Sequence, residues 1–305
     1  MTAVAASADA VELQHGFAQV DGVRLHYVEA GAGPLVLLLH GFPELWYGFR
    51  RQIPALAAAG FRVVAPDLRG YGRSDKPRGV SAYGMRELVR DVRVLIERLG
   101  ATEASVVGHD WGAGIAWSFA MRHPEALTRL AILNGPHPMR LLEGLLTAKQ
   151  VAKSWYMFFF QLPWLPEQML RQADYAALFA TLEPSLDGTF LSAEERETYR
   201  SAFAEPGALT AMVNYYRALL RPWTAPRPRS VDADVLVLWG ERDPYLGREL
   251  AEPEPRWAHR ARVEYLPAGH FVQHDLPDEV NRRLIAFLGG PAVASAGEPL
   301  TPRRE

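Results

Sequence analysis

Short apolar runs recur along the chain, and the intervals between them leave room for helices. The runs are residues 34–39, 61–65, 104–107, 127–133, 235–239 and 263–266. Strands that alternate with helices in this way form a mostly parallel sheet with helices packed on both of its faces. The sequence therefore predicts the α/β class and a mostly parallel, doubly wound sheet.

Two regions depart from this alternation. Residues 17–20 and 23–29 flank Asp21-Gly22, a pair suited to a type I′ turn, so the chain is predicted to open with antiparallel strands. Residues 138–228 carry aromatic residues at helical spacing between Pro-rich ends, which predicts a helical insertion. The predicted division is a core of residues 1–137 and 229–290 and a helical cap of residues 138–228.

The ends of the chain and its composition limit the classes of function. Residues 1–12 and 291–305 lack apolar periodicity, so we predict a loose N-terminus and a disordered tail. With 33 Lys and Arg against 35 Asp and Glu, the net charge of -2 provides no field that would attract nucleic acid or an anionic membrane. Neither a secretory signal nor an apolar run long enough to span a membrane is present, which favours a cytoplasmic location.

The kinds of chemistry open to the chain are also limited. The chain has no Cys, which excludes disulfides, thiolate zinc sites and cysteine nucleophiles. The sequence carries no phosphate loop, dinucleotide fingerprint or clustered metal-ligand spacing, so we expect no cofactor and no metal. The sequence is compatible with a homodimer, although no feature of it sets the oligomeric state.

The strongest chemical signal is Gly108-His109-Asp110-Trp111-Gly112, where an apolar strand runs into a helix. This is the nucleophile-elbow pattern with Asp in the place of the usual Ser. The sharp turn needs flanking glycines, and it presents the Asp110 carboxylate at a helix N-terminus. The plainer interpretation is that Asp110 only caps the helix, a position that Asp favours.

Two further segments supply the partners of a catalytic triad. Asp243 follows the run at 235–239, and His270 follows the run at 263–266. The order Asp110, Asp243, His270 is the order in which α/β-hydrolases carry nucleophile, acid and histidine. Alternatively, Asp243 opens a turn before Pro244 and His270 is an ordinary loop histidine. The competing neighbours Glu241, His109 and His274 rank lower because of their spacing from the strand ends.

A third strand ends at His40-Gly41-Phe42-Pro43. In an α/β-hydrolase this turn supplies one backbone N–H of the oxyanion hole, here that of Phe42, and the residue after the nucleophile supplies the other, here Trp111. Pro43 has no N–H to donate. The turn would also end a strand without any catalytic role.

These motifs together resemble the soluble epoxide hydrolases of the α/β-hydrolase fold. The resemblance covers about residues 13–290 and rests on residues 40–44 with Trp46-Tyr47, on residues 108–112 and on residues 269–273. It implies two epoxide-polarising tyrosines in the helical cap, Tyr156 and Tyr216, with Tyr215 as the rival of Tyr216. Both tyrosines could instead be packing residues, as aromatic side chains at helical spacing usually are.

The chemistry follows from a carboxylate at the elbow, which suits attack on a saturated carbon bearing a leaving group. The tyrosines favour an epoxide opened to a vicinal diol through an alkyl ester of Asp110, which water activated by His270 and Asp243 then hydrolyses. We expect a small apolar epoxide and water as reactants. The residues predicted to line the substrate pocket are His40, Phe158, Trp164 and Phe271.

Two other functions remain open at this point. A haloalkane dehalogenase would use the same nucleophile with Trp111 as one halide ligand, but that family often places Asn where this chain has Phe42. A third possibility, a fluoroacetate dehalogenase, is disfavoured because those enzymes place Arg after the nucleophile, where this chain has Trp111. The alternative of another class is a non-catalytic ligand receptor on the same fold, which need not keep every triad member.

Overall fold

The strands form one sheet in the computed structural model of the protein, which describes residues 11–182, 191–221 and 228–290. They are β1 (Gln14–Val20), β2 (Val23–Ala30), β3 (Leu35–Leu39), β4 (Arg62–Pro66), β5 (Ala104–His109), β6 (Leu127–Leu133), β7 (Asp234–Gly240) and β8 (Ala261–Leu266). Their order across the sheet of the described residues is β1-β2-β4-β3-β5-β6-β7-β8.

The sheet is parallel from β4 to β8 and antiparallel at its β1 edge. The β1 and β2 strands pair with Val20 opposite Val23, across a turn in which Asp21 and Gly22 have φ of 44° and 83°. The β2 strand is antiparallel to β4, and each later pair is parallel. The predicted α/β class, the mostly parallel sheet and the opening hairpin are confirmed.

Each central strand is buried on both faces. In β3, Leu35, Leu37 and Leu39 pack into one apolar core and Val36 and Leu38 into another on the opposite face. Successive side chains of a strand point to opposite faces, so a run of apolar residues without alternation belongs between two helical layers.

Helices cover these two faces. They are α1 (Gln52–Ala58), α2 (Met85–Arg98), α3 (Trp111–Arg122), α10 (Val272–Asp275) and α11 (Pro277–Gly289). In α2 the buried residues Leu88, Val92, Leu95 and Ile96 recur at helical spacing, so that one side of the helix packs on the core.

Between β6 and β7 the elements of the described residues are helices joined by turns and loops. The helices are α4 (Pro138–Gly144), α5 (Ala148–Lys153), α6 (Trp155–Phe159), α7 (Leu165–Leu182), α8 (Ala193–Ala204) and α9 (Ala208–Leu219). The α7 helix is interrupted at residues 172–175, which are not helical. The division into a core and a cap remains a prediction.

Several predicted segments lie outside the described residues. These are the N-terminus up to residue 10, the tail at 291–305 and most of the Pro-rich end at 222–228. No helix in the described ranges combines the length and the apolar character needed to cross a membrane.

Candidate active site

The carboxyl ends of five neighbouring strands meet at one edge of the sheet. Phe42 follows β3, Asp110 follows β5, Asn134 follows β6, Asp243 follows β7 and His270 follows β8. Open parallel sheets bind their ligands at this edge. Residues that are far apart in the sequence therefore meet here because each one comes directly or shortly after the end of its strand.

Asp110 stands in a strained turn between β5 and α3. Its φ of 51° and ψ of -115° lie in a region that residues other than Gly rarely adopt. The neighbouring backbone allows this turn only because Gly108 and Gly112 have no Cβ, since a Cβ on Gly112 would overlap the backbone of Leu39. A Cβ on Gly41 would overlap the Asp110 side chain itself.

The Asp110 carboxylate does not cap its own helix. None of the amides of that helix donates to it, although Asp110 occupies the N-cap position of α3. Instead Oδ1 accepts a hydrogen bond of 2.8 Å from the backbone N–H of Phe42, and Oδ2 lies 3.5 Å from Nε2 of His270. The predicted second oxyanion donor, the N–H of Trp111, belongs to the first residue of α3.

His270 lies between two carboxylates. Its Nδ1 is 2.7 Å from Oδ2 of Asp243, and its Nε2 faces Asp110. Burial alone would lower the pKa of His270, but the charges of Asp243 and Asp110 and its bonds to them raise it to about 10. In this state of the protein the imidazole is therefore protonated over the neutral pH range.

Asp243 is held by a set of donors. Its Oδ2 accepts from Nδ2 of Asn134 at 2.7 Å, and its Oδ1 accepts from the backbone N–H groups of Tyr245 and Leu246. Burial alone would raise the pKa of Asp243, but His270 and these donors hold it below its ordinary value. Asn134 was absent from the sequence predictions, and the signal that could have found it is its place directly after β6.

The three competing residues named in the sequence lie outside this arrangement. Glu241 is exposed and lies 3.5 Å from Arg248. His109 and His274 both contact Glu44, which is 1% exposed. The structure thus brings Asp110, Asp243 and His270 together and sets their rivals apart.

Glu44 is the centre of a second buried group. Its Oε2 lies 3.0 Å from Nδ1 of His109 and its Oε1 lies 2.5 Å from Nε2 of His274, while Nε2 of Gln273 donates to Oε2 at 3.1 Å. Burial would raise the pKa of Glu44, but the two histidines keep it well below its ordinary value. The other nitrogen of His109, Nε2, lies 3.1 Å from the backbone carbonyl of His270.

The two predicted tyrosines face Asp110 across one cavity. Tyr156 comes from α6 and Tyr216 from α9, and their ring centroids are 5.7 Å apart. Burial and, next, the charge of Asp110 raise the pKa of each phenol well above its ordinary value, so both phenols stay protonated and can donate. The rival Tyr215 is fully buried, and its hydroxyl donates to the carbonyl of Arg69 at 2.8 Å.

This cavity has a volume of about 610 Å³ and a mostly apolar wall. Its lining residues are Phe42, Asp110, Ala152, Lys153, Trp155, Tyr156, Phe159, Phe160, Met169, Leu170, Ala177, Ala180, Thr181, Tyr216, Pro244, Tyr245 and His270. An apolar cleft with a few convergent polar groups is the usual form of a small-molecule site.

None of the four pocket residues predicted from the sequence is among the described residues that line this cavity. His40 is fully buried, with its Nε2 accepting from the backbone N–H of Leu68. Phe271 packs against the rings of both His109 and His270. Phe158 and Trp164 are 47% and 66% exposed and turn outward from the helical segment.

The sheet order and the aspartate elbow define an enzyme of the α/β hydrolase fold, the family that matches residues 34–277. Epoxide hydrolase 3 of Xenopus tropicalis is 40% identical over 288 residues, 90% of this chain and 78% of that protein. Epoxide hydrolase 4 of Homo sapiens is 38% identical over 277 residues, 88% of this chain and 76% of that protein. The chain belongs to the epoxide hydrolase family.

A solved structure gives the same result. The crystal structure of Bacillus megaterium epoxide hydrolase in complex with an inhibitor has a TM-score of 0.83 and 33% identity, covering 90% of this chain and 100% of that one. A variant of that enzyme in complex with its diol product has a TM-score of 0.82 and 34% identity, with the same coverage. The predicted fold and family resemblance are confirmed.

Proposed function

We propose that this protein opens epoxides to vicinal diols through a covalent ester on Asp110. The observation that carries the proposal is that a carboxylate, a histidine and two phenols line one cavity: Asp110, His270, Tyr156 and Tyr216. The diol bound to the related Bacillus megaterium enzyme supports the same product class.

In the first step Oδ2 of Asp110 attacks a ring carbon and the carbon–oxygen bond of the epoxide breaks. Oδ2 is the attacking atom because Oδ1 is held by the N–H of Phe42. The oxygen that leaves carbon takes a proton from a phenol, Tyr156 or Tyr216, whose raised pKa keeps that proton in place until then. The product is an alkyl ester of Asp110.

In the second step His270 takes a proton from water, and the water oxygen attacks Cγ of Asp110. The N–H of Phe42, already bonded to Oδ1, stabilises the oxyanion that forms there, together with the N–H of Trp111. The bond between Cγ and Oδ2 then breaks, and Oδ2 takes the proton from His270 as it leaves in the diol. Asp110 keeps the oxygen of the water and passes its proton back to His270, which restores the carboxylate.

Ester formation also changes the charge beside His270. Asp110 is one of the two carboxylates that raise the pKa of His270, and the ester removes its charge. The imidazole then gives up its proton more readily, and the phenolate that the first step leaves takes that proton, so the phenol is restored and His270 becomes neutral. The first step thus prepares the base that the second step needs.

One single-turnover experiment in water enriched in a heavy oxygen isotope tests the ester. The heavy oxygen should enter Asp110 and be absent from the first diol, as mass spectrometry of both would show. Asp110→Asn should remove turnover. Heavy oxygen in the first diol would contradict the ester and favour direct attack by water.

The phenols provide the test against a halide substrate. Tyr156→Phe and Tyr216→Phe should each slow ester formation from an epoxide by about 10²-fold, with Tyr215→Phe as the matched control. If ester formation is equally fast in all three variants, Tyr156 and Tyr216 are packing residues and do not act on the epoxide. Release of halide from haloalkanes without any diol from epoxides would replace this function by dehalogenation.

A further inference from the structure

Lys153 is the cation of the cavity wall. It ends α5, three residues before Tyr156, and among the described residues that line the cavity the other charged side chains are Asp110 and His270. The rest of the wall is apolar or neutral. The mechanism above uses Asp110 and His270 but has no role for a lysine.

The ammonium group of Lys153 makes one bond within the described protein. Its Nζ donates to the backbone carbonyl of Asp243 at 2.8 Å. No carboxylate of the described residues lies within ion-pair distance of it, but Glu249 is near enough for the charge of Lys153 to contribute, after Lys149, to the lowered pKa of that carboxyl. An ammonium group has three N–H donors, so two remain for a ligand in the cavity. Lys149, one turn earlier on α5, instead pairs with Glu249 and is 67% exposed.

The charges near the reacting atoms explain what such a cation would do. Asp110 and Asp243 carry two negative charges and protonated His270 one positive charge, so this set repels an anionic substrate. Lys153 brings the sum to zero within the same site. A cation on an apolar wall binds an anionic group more strongly than it would in water, since little solvent screens it.

We propose that Lys153 selects epoxides whose apolar substituent ends in a carboxylate, with the ammonium group binding that carboxylate while the phenols hold the epoxide oxygen. This inference rests on the proposed epoxide hydrolysis and adds a substrate class to it. Tyr156 and Lys153 project into one cavity from adjacent short helices, so the chain between the epoxide and the carboxylate spans the distance between them.

The experiment measures kcat/KM for linear terminal epoxides that carry a carboxylate at the other end, in a series of chain lengths, beside the amides of the same acids. The amide has nearly the shape of the acid without its charge. Lys153→Met removes the ammonium group, Lys153→Arg retains a cation, and Lys149→Met removes the neighbouring charge outside the cavity.

The wild type should prefer the acid over the amide, with a maximum at one chain length. Lys153→Met should lower the acid-to-amide ratio of kcat/KM by about tenfold to hundredfold, the range expected for a hydrogen bond to a charged group. Lys153→Arg should restore part of the ratio, and Lys149→Met should leave it unchanged. The ratio is the decisive quantity, because loss of the bond to Asp243 would lower both rates together.

Two results would overturn the inference. If the wild type opens both substrates without preference, or Lys153→Met slows both equally, Lys153 only supports the Asp243 loop and the proposed epoxide hydrolysis stands. If the wild type opens neither these substrates nor simple apolar epoxides, the proposed function fails and the inference with it.

Discussion

Two buried carboxylate–histidine pairs lie side by side in this protein, and only one of the two directs a ring nitrogen at the cavity. Asp243 and His270 are 2.7 Å apart, Glu44 and His109 are 3.0 Å apart, and the two imidazole rings are 4.9 Å apart. The second nitrogen of His270 faces Asp110 in the cavity. That of His109 faces a backbone carbonyl, so the His109 pair has no nitrogen directed at the cavity.

An acid beside a histidine does not by itself make a catalytic base. The role open to such a pair depends on the second ring nitrogen of the histidine. A nitrogen that faces a cavity is available to a substrate or water, and one that is bonded to the backbone can only hold the structure. The Glu44 group also extends to the helical segment, since Arg50 donates to His274 and to Glu195 of α8. The Glu44 group therefore connects the segment after β3, helix α10 and helix α8.

The largest expected difference between the pairs is in turnover. His270→Gln should lower kcat by about 10³-fold, because ester hydrolysis loses its base, and an ester of Asp110 should accumulate. His109→Gln should lower kcat by less than about tenfold, because His109 only holds the carbonyl of His270. Steady-state kinetics and intact-mass spectrometry with an epoxide measure both effects. Accumulation of ester in His109→Gln would show that the second pair takes part in the chemistry.

The second difference is in stability. Glu44→Gln should lower the free energy of unfolding by about 3 kcal/mol, because it breaks a buried charged group. The pKa of Glu44 lies below its ordinary value of 4.5 in the folded protein, so its contribution to stability is present above pH 4.5 and is lost as the pH falls.

Urea unfolding at several pH values measures this contribution. The gap between the wild type and Glu44→Gln should be widest above pH 4.5 and should narrow in acid. If the difference in free energy of unfolding between the two proteins stays constant over the whole pH range, Glu44 is not ionised in the folded protein.

The third difference is in titration. In Asp110→Asn the pKa of His270 should fall from about 10 toward its ordinary 6.5, because the neutral amide, like the ester, removes one carboxylate. A raised pKa stabilises the folded state below pH 6.5, and this contribution is lost as the pH rises through 10; in the variant the loss should begin at lower pH. NMR titration of the imidazole measures the shift. An unchanged pKa would remove the proposed link between ester formation and the base.

The triad could be predicted from the sequence because each of its members directly follows an apolar run. Asp110, Asp243 and His270 reach one edge through the parallel sheet alone, whatever the details of packing. The second pair could not be distinguished in the same way. Which ring nitrogen of His109 meets which acceptor depends on how the loops after β3 and β8 pack together.

The wall of the cavity was predicted poorly because it depends on which side of a short helix faces inward. Tyr156, Phe159 and Phe160 line the cavity, and Phe158 does not. Residues three and four positions apart lie on the same side of a helix, and counted from Tyr156 these are Phe159 and Phe160. Helical periodicity therefore favours these two residues over Phe158.

The smallest expected difference concerns the amides that support each carboxylate. Asn134 donates to Asp243 and accepts from the backbone N–H of Gly240, and Gln273 donates to Glu44. Asn134→Ala should lower kcat by about tenfold, since a hydrogen bond to the charged acid of the triad is lost and His270 is oriented less well. Gln273→Ala should lower the free energy of unfolding by about 1 kcal/mol and leave kcat within twofold.

Kinetic and urea-unfolding measurements on both variants distinguish the role of the Asn134 amide from that of the Gln273 amide. The pH dependence of kcat is the sharper measurement, because the loss of the Asn134 donor changes the charge that Asp243 presents to His270. The pKa of His270 should therefore shift in Asn134→Ala, and the profile of Gln273→Ala should stay unchanged. If both variants lose stability alone, the amide beside Asp243 is structural, and orientation of His270 then rests on the backbone donors of Tyr245 and Leu246. If Gln273→Ala shifts the profile as well, the two pairs are coupled through the carbonyl of His270, and His109 transmits the change to the catalytic base.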